Sequence, residues 1–159
     1  IVGHRMTGCT TNIDYGVIPA SSHKRNGRRL VIVDTPGFDN TEPNLNDTAI
    51  LRNISDWLEL HVQNKIILGG VIYLHDISLS RFSSIASYDL TVLRAAFGSS
   101  KESFEKVAFV TTKWDRVDFN QGHDREKELR SIWDDLIRRG SQVYRFENEN
   151  SSTSAWKIV

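Results

Sequence analysis

Short β-branched apolar runs alternate with longer amphipathic stretches along this chain. Arg29 to Asp34 is a near-continuous apolar run closed by Thr35-Pro36-Gly37, which predicts a buried strand ended by a turn. Asp47 to Val62 sets Ile50, Leu51, Ile54, Trp57, Leu58 and Val62 at helical spacing, with Asp47 and Thr48 as a start signal. Gly70 to His75 predicts a second buried strand, and Val107 to Thr112 a third. Ser87 to Phe97 predicts a helix with Leu90, Leu93 and Phe97 on one face and Gly98 as its stop. His123 to Arg139 predicts one charged helix that turns Leu129, Ile132, Trp133, Leu136 and Ile137 inward before Gly140. Gln142 to Phe146 closes the pattern, and Ile13 to Ile18 is a weaker strand near the start.

Apolar strands separated by helices predict an α/β fold: a three-layer, mostly parallel sheet with helices on both faces. In such folds ligands bind beyond the carboxyl ends of the strands. The residues at those ends are Asp34-Thr35-Pro36-Gly37, His75-Asp76, Thr112-Lys113-Trp114-Asp115 and the segment after Phe146.

Composition narrows the classes of function. The chain has 159 residues, 39% hydrophobic and 25% charged, without repeats or a low-complexity linker, which predicts one globular domain. Twenty Lys+Arg balance twenty Asp+Glu. That balance predicts no nucleic-acid partner, because such domains carry a basic excess. The apolar runs Leu30–Val33 and Val71–Leu74 are far shorter than a membrane span, so no transmembrane segment is expected. A lone Cys9 cannot form an internal disulfide, which fits a reducing, cytoplasmic setting.

Two strand-end motifs carry chemistry. An Asp directly after a strand, as Asp34 is, can hold Mg²⁺, often through water. A glycine three residues on, Gly37, can bring its backbone N–H to a terminal phosphate. The same four residues also suit an ordinary turn. In Thr112-Lys113-Trp114-Asp115, a carboxylate at Asp115 can accept from both N1–H and the exocyclic amine of guanine, which adenine cannot match. The Lys113 stem can lie along the base. Alone, this segment also reads as a polar loop with a surface Lys–Asp pair. Together, and in this order, the two motifs point to guanine-nucleotide binding.

With these residues in view, the chain resembles P-loop GTPases of the septin-like and immunity-associated (avirulence-induced-gene-like) type, especially uncharacterised fungal G-domain proteins. The matching segments run from Val2-Gly3-His4 to Cys9-Thr10, then Val33 to Asp39, Gly69 to Ser78, Val110 to Asp115 and Ser152 to Ala155. The resemblance implies GTP or GDP as ligand and Mg²⁺ as cofactor. It implies Thr10, with Thr11 as a rival, and Asp34 as the metal side, and Gly37 at the γ-phosphate. It implies Thr112, Lys113 and Asp115 at the guanine, joined by Ser154 and Ala155 with a backbone N–H toward the guanine oxygen. Trp114 is expected to point away from the base. A homotypic G-domain dimer is a further partner compatible with the resemblance.

The chain departs from the family pattern in one respect. The phosphate loop GxxxxGKS/T is absent: Gly3-His4-Arg5-Met6-Thr7-Gly8-Cys9-Thr10 has no Lys at the required place and no preceding strand. With Ile1 rather than Met at its start, residues 1–159 are expected to be a single incomplete G domain that begins after the first strand, phosphate loop and first helix. That leaves the sheet with open edges, and the chain alone is expected to bind GTP weakly or not at all. GTP hydrolysis is expected only if a phosphate loop precedes Ile1 in the parent protein; the alternative is a degenerate, non-catalytic interaction module. No catalytic residue is assigned. Phe38 stands where many GTPases carry a water-orienting Gln, and Asp39, His4 and Arg5 read as surface residues of the switch. The five histidines have no metal-ligand spacing, and His23 to Arg29 reads as a basic turn around Asn26-Gly27.

Overall fold

The computed structural model describes residues 10–19, 29–38, 46–62, 67–80, 90, 91, 94, 104–147 and 152–159. The segment 1–9, most of the His23–Arg29 turn, Asp39 and most of the helix expected over Ser87–Phe97 lie outside the described residues; Leu90, Thr91 and Arg94 within that last span are helical. The chain divides into two compact units, Ile1–Ile67 and Leu68–Val159.

In the first unit, β1 (Asp14–Ile18) pairs antiparallel with β2 (Leu30–Asp34), in a register running from Asp14 opposite Asp34 to Ile18 opposite Leu30. This corrects the expectation of a buried β2 in a parallel sheet. A two-stranded antiparallel pair turns alternate residues outward, so Ile32 and Asp34 are exposed while Val31 and Val33 are half-buried. Helix α1 (Asp47–Val62) forms where its periodicity predicts. Its cap is Asn46, one residue ahead of the expected start: the Asn46 Oδ1 accepts from the Ala49 N–H (2.9 Å) and its carbonyl from the Ile50 N–H (2.9 Å). Ile50 is fully buried. Trp57 and His61, one helical turn apart, stack at 3.9 Å, and Tyr15 of β1 leans on both, at 6.0 and 6.2 Å. The His61 Nδ1 donates back to the Trp57 carbonyl (2.7 Å), which fixes the stack.

The second unit is α/β, with a three-stranded parallel sheet in the order β3-β4-β5, compatible with a Rossmann-like arrangement. Its strands are β3 (Val71–Asp76), β4 (Val107–Thr112) and β5 (Gln142–Arg145). Between β4 and β5 lie helices α2 (Phe119–Ile132) and α3 (Asp134–Arg138). Helix α4 (Ser152–Trp156) follows β5. Strand β4 is central, and Val107, Phe109, Val110 and Thr111 are buried, as a strand covered on both faces requires. Strand β3 pairs only with β4 among the described residues. It is not the buried strand its composition predicts, because Ile72 and Leu74 (65% exposed) face outward while His75 is buried.

Trp133 anchors the core. It is fully buried, stacks on Phe109 at 4.7 Å and meets His75 edge-on at 6.0 Å. Ile77, Leu90, Phe104, Val107, Leu129 and Leu136 complete the cluster. Trp133 also breaks the helix expected from His123 to Arg139. Its backbone leaves the helical region (φ −87°, ψ 0°), so α2 ends and α3 starts there. The bonds Trp133 N–H to Leu129 O and Ile137 N–H to Trp133 O (both 2.9 Å) carry the chain through the break. Helix α2 begins earlier than expected because Asp118 caps it, accepting from the Asn120 (3.0 Å) and Gln121 (3.3 Å) N–H groups. Gly122 sits inside that helix because a side chain there would press on Trp114, 3.0 Å from a Cβ position, and Val117, 3.1 Å away. Gly140 follows α3 at φ +113°, a conformation other residues adopt only with strain, against Glu105. Among the described residues no helix is long and apolar enough to cross a membrane.

Candidate functional site

The chemistry of the second unit gathers at the carboxyl end of β4. The register pairs Thr112 with Asp76 of β3. Thr112 is half-buried, and its hydroxyl donates to the His75 carbonyl (3.3 Å) while its own carbonyl accepts from Ile77 N–H (3.1 Å). The next residue, Lys113, is left-handed (φ 58°, ψ 40°), the only non-glycine with positive φ among the described residues. Such a backbone costs roughly 1–2 kcal/mol for an L-residue and persists only where its surroundings hold it.

The hold comes from Asp76. The Lys113 Nζ donates to Asp76 Oδ2 at 2.7 Å. The other oxygen, Oδ1, accepts from the Ser78 N–H (2.9 Å) and the Ser78 hydroxyl (2.6 Å). Burial pushes the Asp76 carboxyl up, but the hydrogen bonds from Lys113 and Ser78, with the Lys113 charge, outweigh it and hold the group below its ordinary 3.8. His75 moves down from 6.5 because burial disfavours its cation, only partly opposed by the Asp76 charge.

Behind the loop, the Trp114 indole N–H donates to the Thr111 carbonyl (3.2 Å) and hydroxyl (3.1 Å). The Arg145 guanidinium covers the Trp114 ring at 4.5 Å. Arg145 is itself pinned by buried Glu126, to which its Nε donates at 2.9 Å and its Nη2 makes a second, shorter bond. Its Nη2 also donates to the His123 Nδ1 (3.1 Å), so that nitrogen acts as an acceptor. The Glu126 hydrogen bonds raise the Arg145 pKa further above its ordinary value, against a smaller lowering from burial. Trp114 therefore braces the loop from the protein side. Asp115, in the short 3-10 turn Trp114–Arg116, is exposed, and among the described residues its carboxylate has no hydrogen-bond or ion-pair partner. Ser154 and Ala155 are half-buried within α4, and the Ala155 carbonyl accepts from the Ile158 (3.1 Å) and Val159 (3.3 Å) N–H groups.

The first unit holds the other predicted residues. Thr10 and Asp34 come together: the Thr10 hydroxyl donates to Asp34 Oδ2 at 3.3 Å. Thr11, its rival, instead accepts from the Asn12 amide (3.3 Å). Gly37 is exposed, with nothing within 4 Å of where a Cβ would stand, so its backbone is open to approach. Asp14 lies directly opposite Asp34 across the β-ladder, a like-charge pair that costs stability unless something neutralises it. Among the described residues no group of three or more His, Cys, Asp or Glu could hold a metal ion. The hard oxygen pair of Thr10 and Asp34 does suit an ion such as Mg²⁺, which binds through one or two protein oxygens and keeps water or phosphate for the rest.

The sequence marks Asp76 as a strand end without giving it a role, and it assigns no role to Ser78, Arg145 or Asp14. No protein-family model and no curated protein matches this chain.

Proposed function

We propose that this chain is the base-reading and metal-side portion of a guanine-nucleotide-binding domain, of the three-layer P-loop G-domain type that its motifs resemble. The observation that carries the reading is the loop after the central parallel strand: Thr112 tied to β3, Lys113 left-handed, and Asp115 exposed with no partner to its carboxylate among the described residues. An open carboxylate at a strand's carboxyl end is the acceptor that the N1–H and amine edge of guanine requires. Asp115 takes those two donors, the Lys113 stem packs on the base, and Ser154 and Ala155 close on its far edge. The resemblance gives Asp34 and Gly37 of the first unit phosphate-side roles. Mg²⁺, when bound with nucleotide, neutralises phosphate charge; Thr10 and Asp34 are the residues that would hold it.

The sequence holds no GxxxxGKS/T motif, so in this reading base contacts carry a weak affinity and GTP hydrolysis is expected only where such a loop is supplied. Phe38, half-buried after Gly37, cannot orient a water, which favours the second reading of a non-catalytic G-domain module whose partner is a second G domain. Ligand-detected NMR on the full chain with millimolar GDP and ADP tests the base reading: saturation transfer from GDP well above that from ADP supports it. Equal transfer, or none from GDP, contradicts it.

A further inference from the structure

We infer that Asp76 and Ser78 form a holder that keeps the Lys113 ammonium away from Asp115, so that the Asp115 carboxylate stays open to a ligand's hydrogen-bond donors. The inference rests on the base reading above and adds a specificity-determining residue pair to it. Lys113 and Asp115 are two residues apart on one loop, Lys113 half-buried and Asp115 exposed, and a Lys side chain without another partner is long enough to turn to a carboxylate that near in sequence. The structure shows the ammonium elsewhere. It sits 2.7 Å from Asp76 Oδ2, and the Asp76 carboxylate is the more buried partner, with its side chain 19% exposed against 38% for Lys113.

The holder is fixed on three sides. The Ser78 N–H and hydroxyl occupy Asp76 Oδ1, which leaves Oδ2 aimed at Lys113. Arg125 of α2 donates through one nitrogen to the Ile77 carbonyl (3.0 Å) and the Ser78 carbonyl (2.8 Å), which pins the turn that carries Ser78. The end of β4 pins the same turn through the bond from Ile77 N–H to the Thr112 carbonyl (3.1 Å). The left-handed backbone of Lys113 then lets its stem run toward Asp76 while the chain continues into the turn that displays Asp115. A neutralised ammonium also leaves the four-carbon stem as an apolar rail for a flat ring, already ordered before the ring arrives.

The test uses the full chain and two readouts. In a ¹³C titration of the Asp76 carboxyl, the wild type titrates below the ordinary carboxylate range, and Lys113→Met moves the midpoint up. A normal midpoint in the wild type overturns the holder whether or not any nucleotide binds. In GDP-against-ADP saturation transfer, Asp76→Asn loses about tenfold of the guanine preference, the size of one charge-assisted hydrogen bond. Lys113→Met removes the charge, and in that background, whatever preference Lys113→Met itself keeps, adding Asp76→Asn costs nothing more. A fold defect in Asp76→Asn would persist in the double variant, so the absence of a further loss there separates positioning from stability. An unchanged preference in Asp76→Asn, or a further loss when it is added to Lys113→Met, overturns the inference while base reading stands. A wild type with no guanine preference overturns the base reading itself, and the carboxyl titration then still decides whether the holder exists.

Discussion

The end of β4 and the end of β2 each carry a motif, and they are built differently. The β4 end leaves a largely buried strand, and three side chains there are tied down: Thr112 to His75, Lys113 to Asp76, and Trp114 to Thr111 and Arg145. The β2 end leaves a half-exposed strand in a two-stranded ladder, where Asp34 is exposed and meets Thr10 at 3.3 Å. On the proposed function, the contrast separates recognition built in advance from recognition completed by the ligand. A site meant to discriminate one base from another gains from fixed geometry, because ordering it on binding would cost affinity. A site that takes a metal and phosphates can leave much of its geometry to the ligand, since Mg²⁺ imposes its own octahedron.

The sharpest way to break the contrast is in the packing beneath each motif. Trp133→Ala removes a fully buried ring from behind β4 and is expected to cost about 3–5 kcal/mol in chemical denaturation, with loss of any guanine preference. Trp57→Ala removes a half-buried ring beside β1 and is expected to cost about 2 kcal/mol. Equal costs would erase the difference between the two regions.

Gly140→Ala forces a Cβ to 2.7 Å from the Glu105 side chain at φ +113°, and a loss of about 1–3 kcal/mol is expected by thermal unfolding. An unchanged midpoint would show that the turn before β5 relaxes freely. Acid should act on the same unit through His75. Burial keeps that imidazole neutral in the fold, so its stabilising effect is complete above the unfolded value of 6.5 and is lost as pH falls below it toward the depressed folded value. Asp76 gives a second, separate loss at lower pH, because its depressed carboxyl stabilises the fold above 3.8 and ceases to as pH falls through the folded value. Urea midpoints from pH 7.5 to 5 should fall, and His75→Gln should flatten that part of the curve. The smallest effect is expected at the β2 end. Asp34→Ala should change stability by no more than about 0.5 kcal/mol, or raise it by relieving the charge of Asp14 opposite, while any Mg²⁺ dependence of nucleotide binding disappears.

Much of this was legible in the chain. Strand β4 and helix α1 follow directly from apolar periodicity, and both loops that carry chemistry stand where strands end. The antiparallel pairing of β2 was not legible, because Leu-Val-Ile-Val reads the same in a parallel core and in an antiparallel ladder; the partner β1 decides it. The break at Trp133 was hidden too, since it follows from stacking on Phe109, a contact between distant parts of the chain. Asp76 was in plain view at the end of a strand, but its pairing with Lys113 depends on the β3–β4 register, which no local pattern encodes. Asp115 stands out in the sequence as a candidate acceptor by its chemistry alone; that Lys113 pairs with Asp76 instead of with it emerges only in the fold.

The most direct test of base reading is Asp115→Asn. A carboxylate accepts twice, as guanine's N1–H and amine require. An amide accepts once and donates once, which matches the N1–H and C2 carbonyl of xanthine. In saturation-transfer titrations of the full chain with GDP, ADP and xanthosine diphosphate, the wild type should prefer GDP and Asp115→Asn should prefer the xanthine nucleotide. If Asp115→Asn leaves the order of the three nucleotides unchanged, the β4 loop does not read guanine.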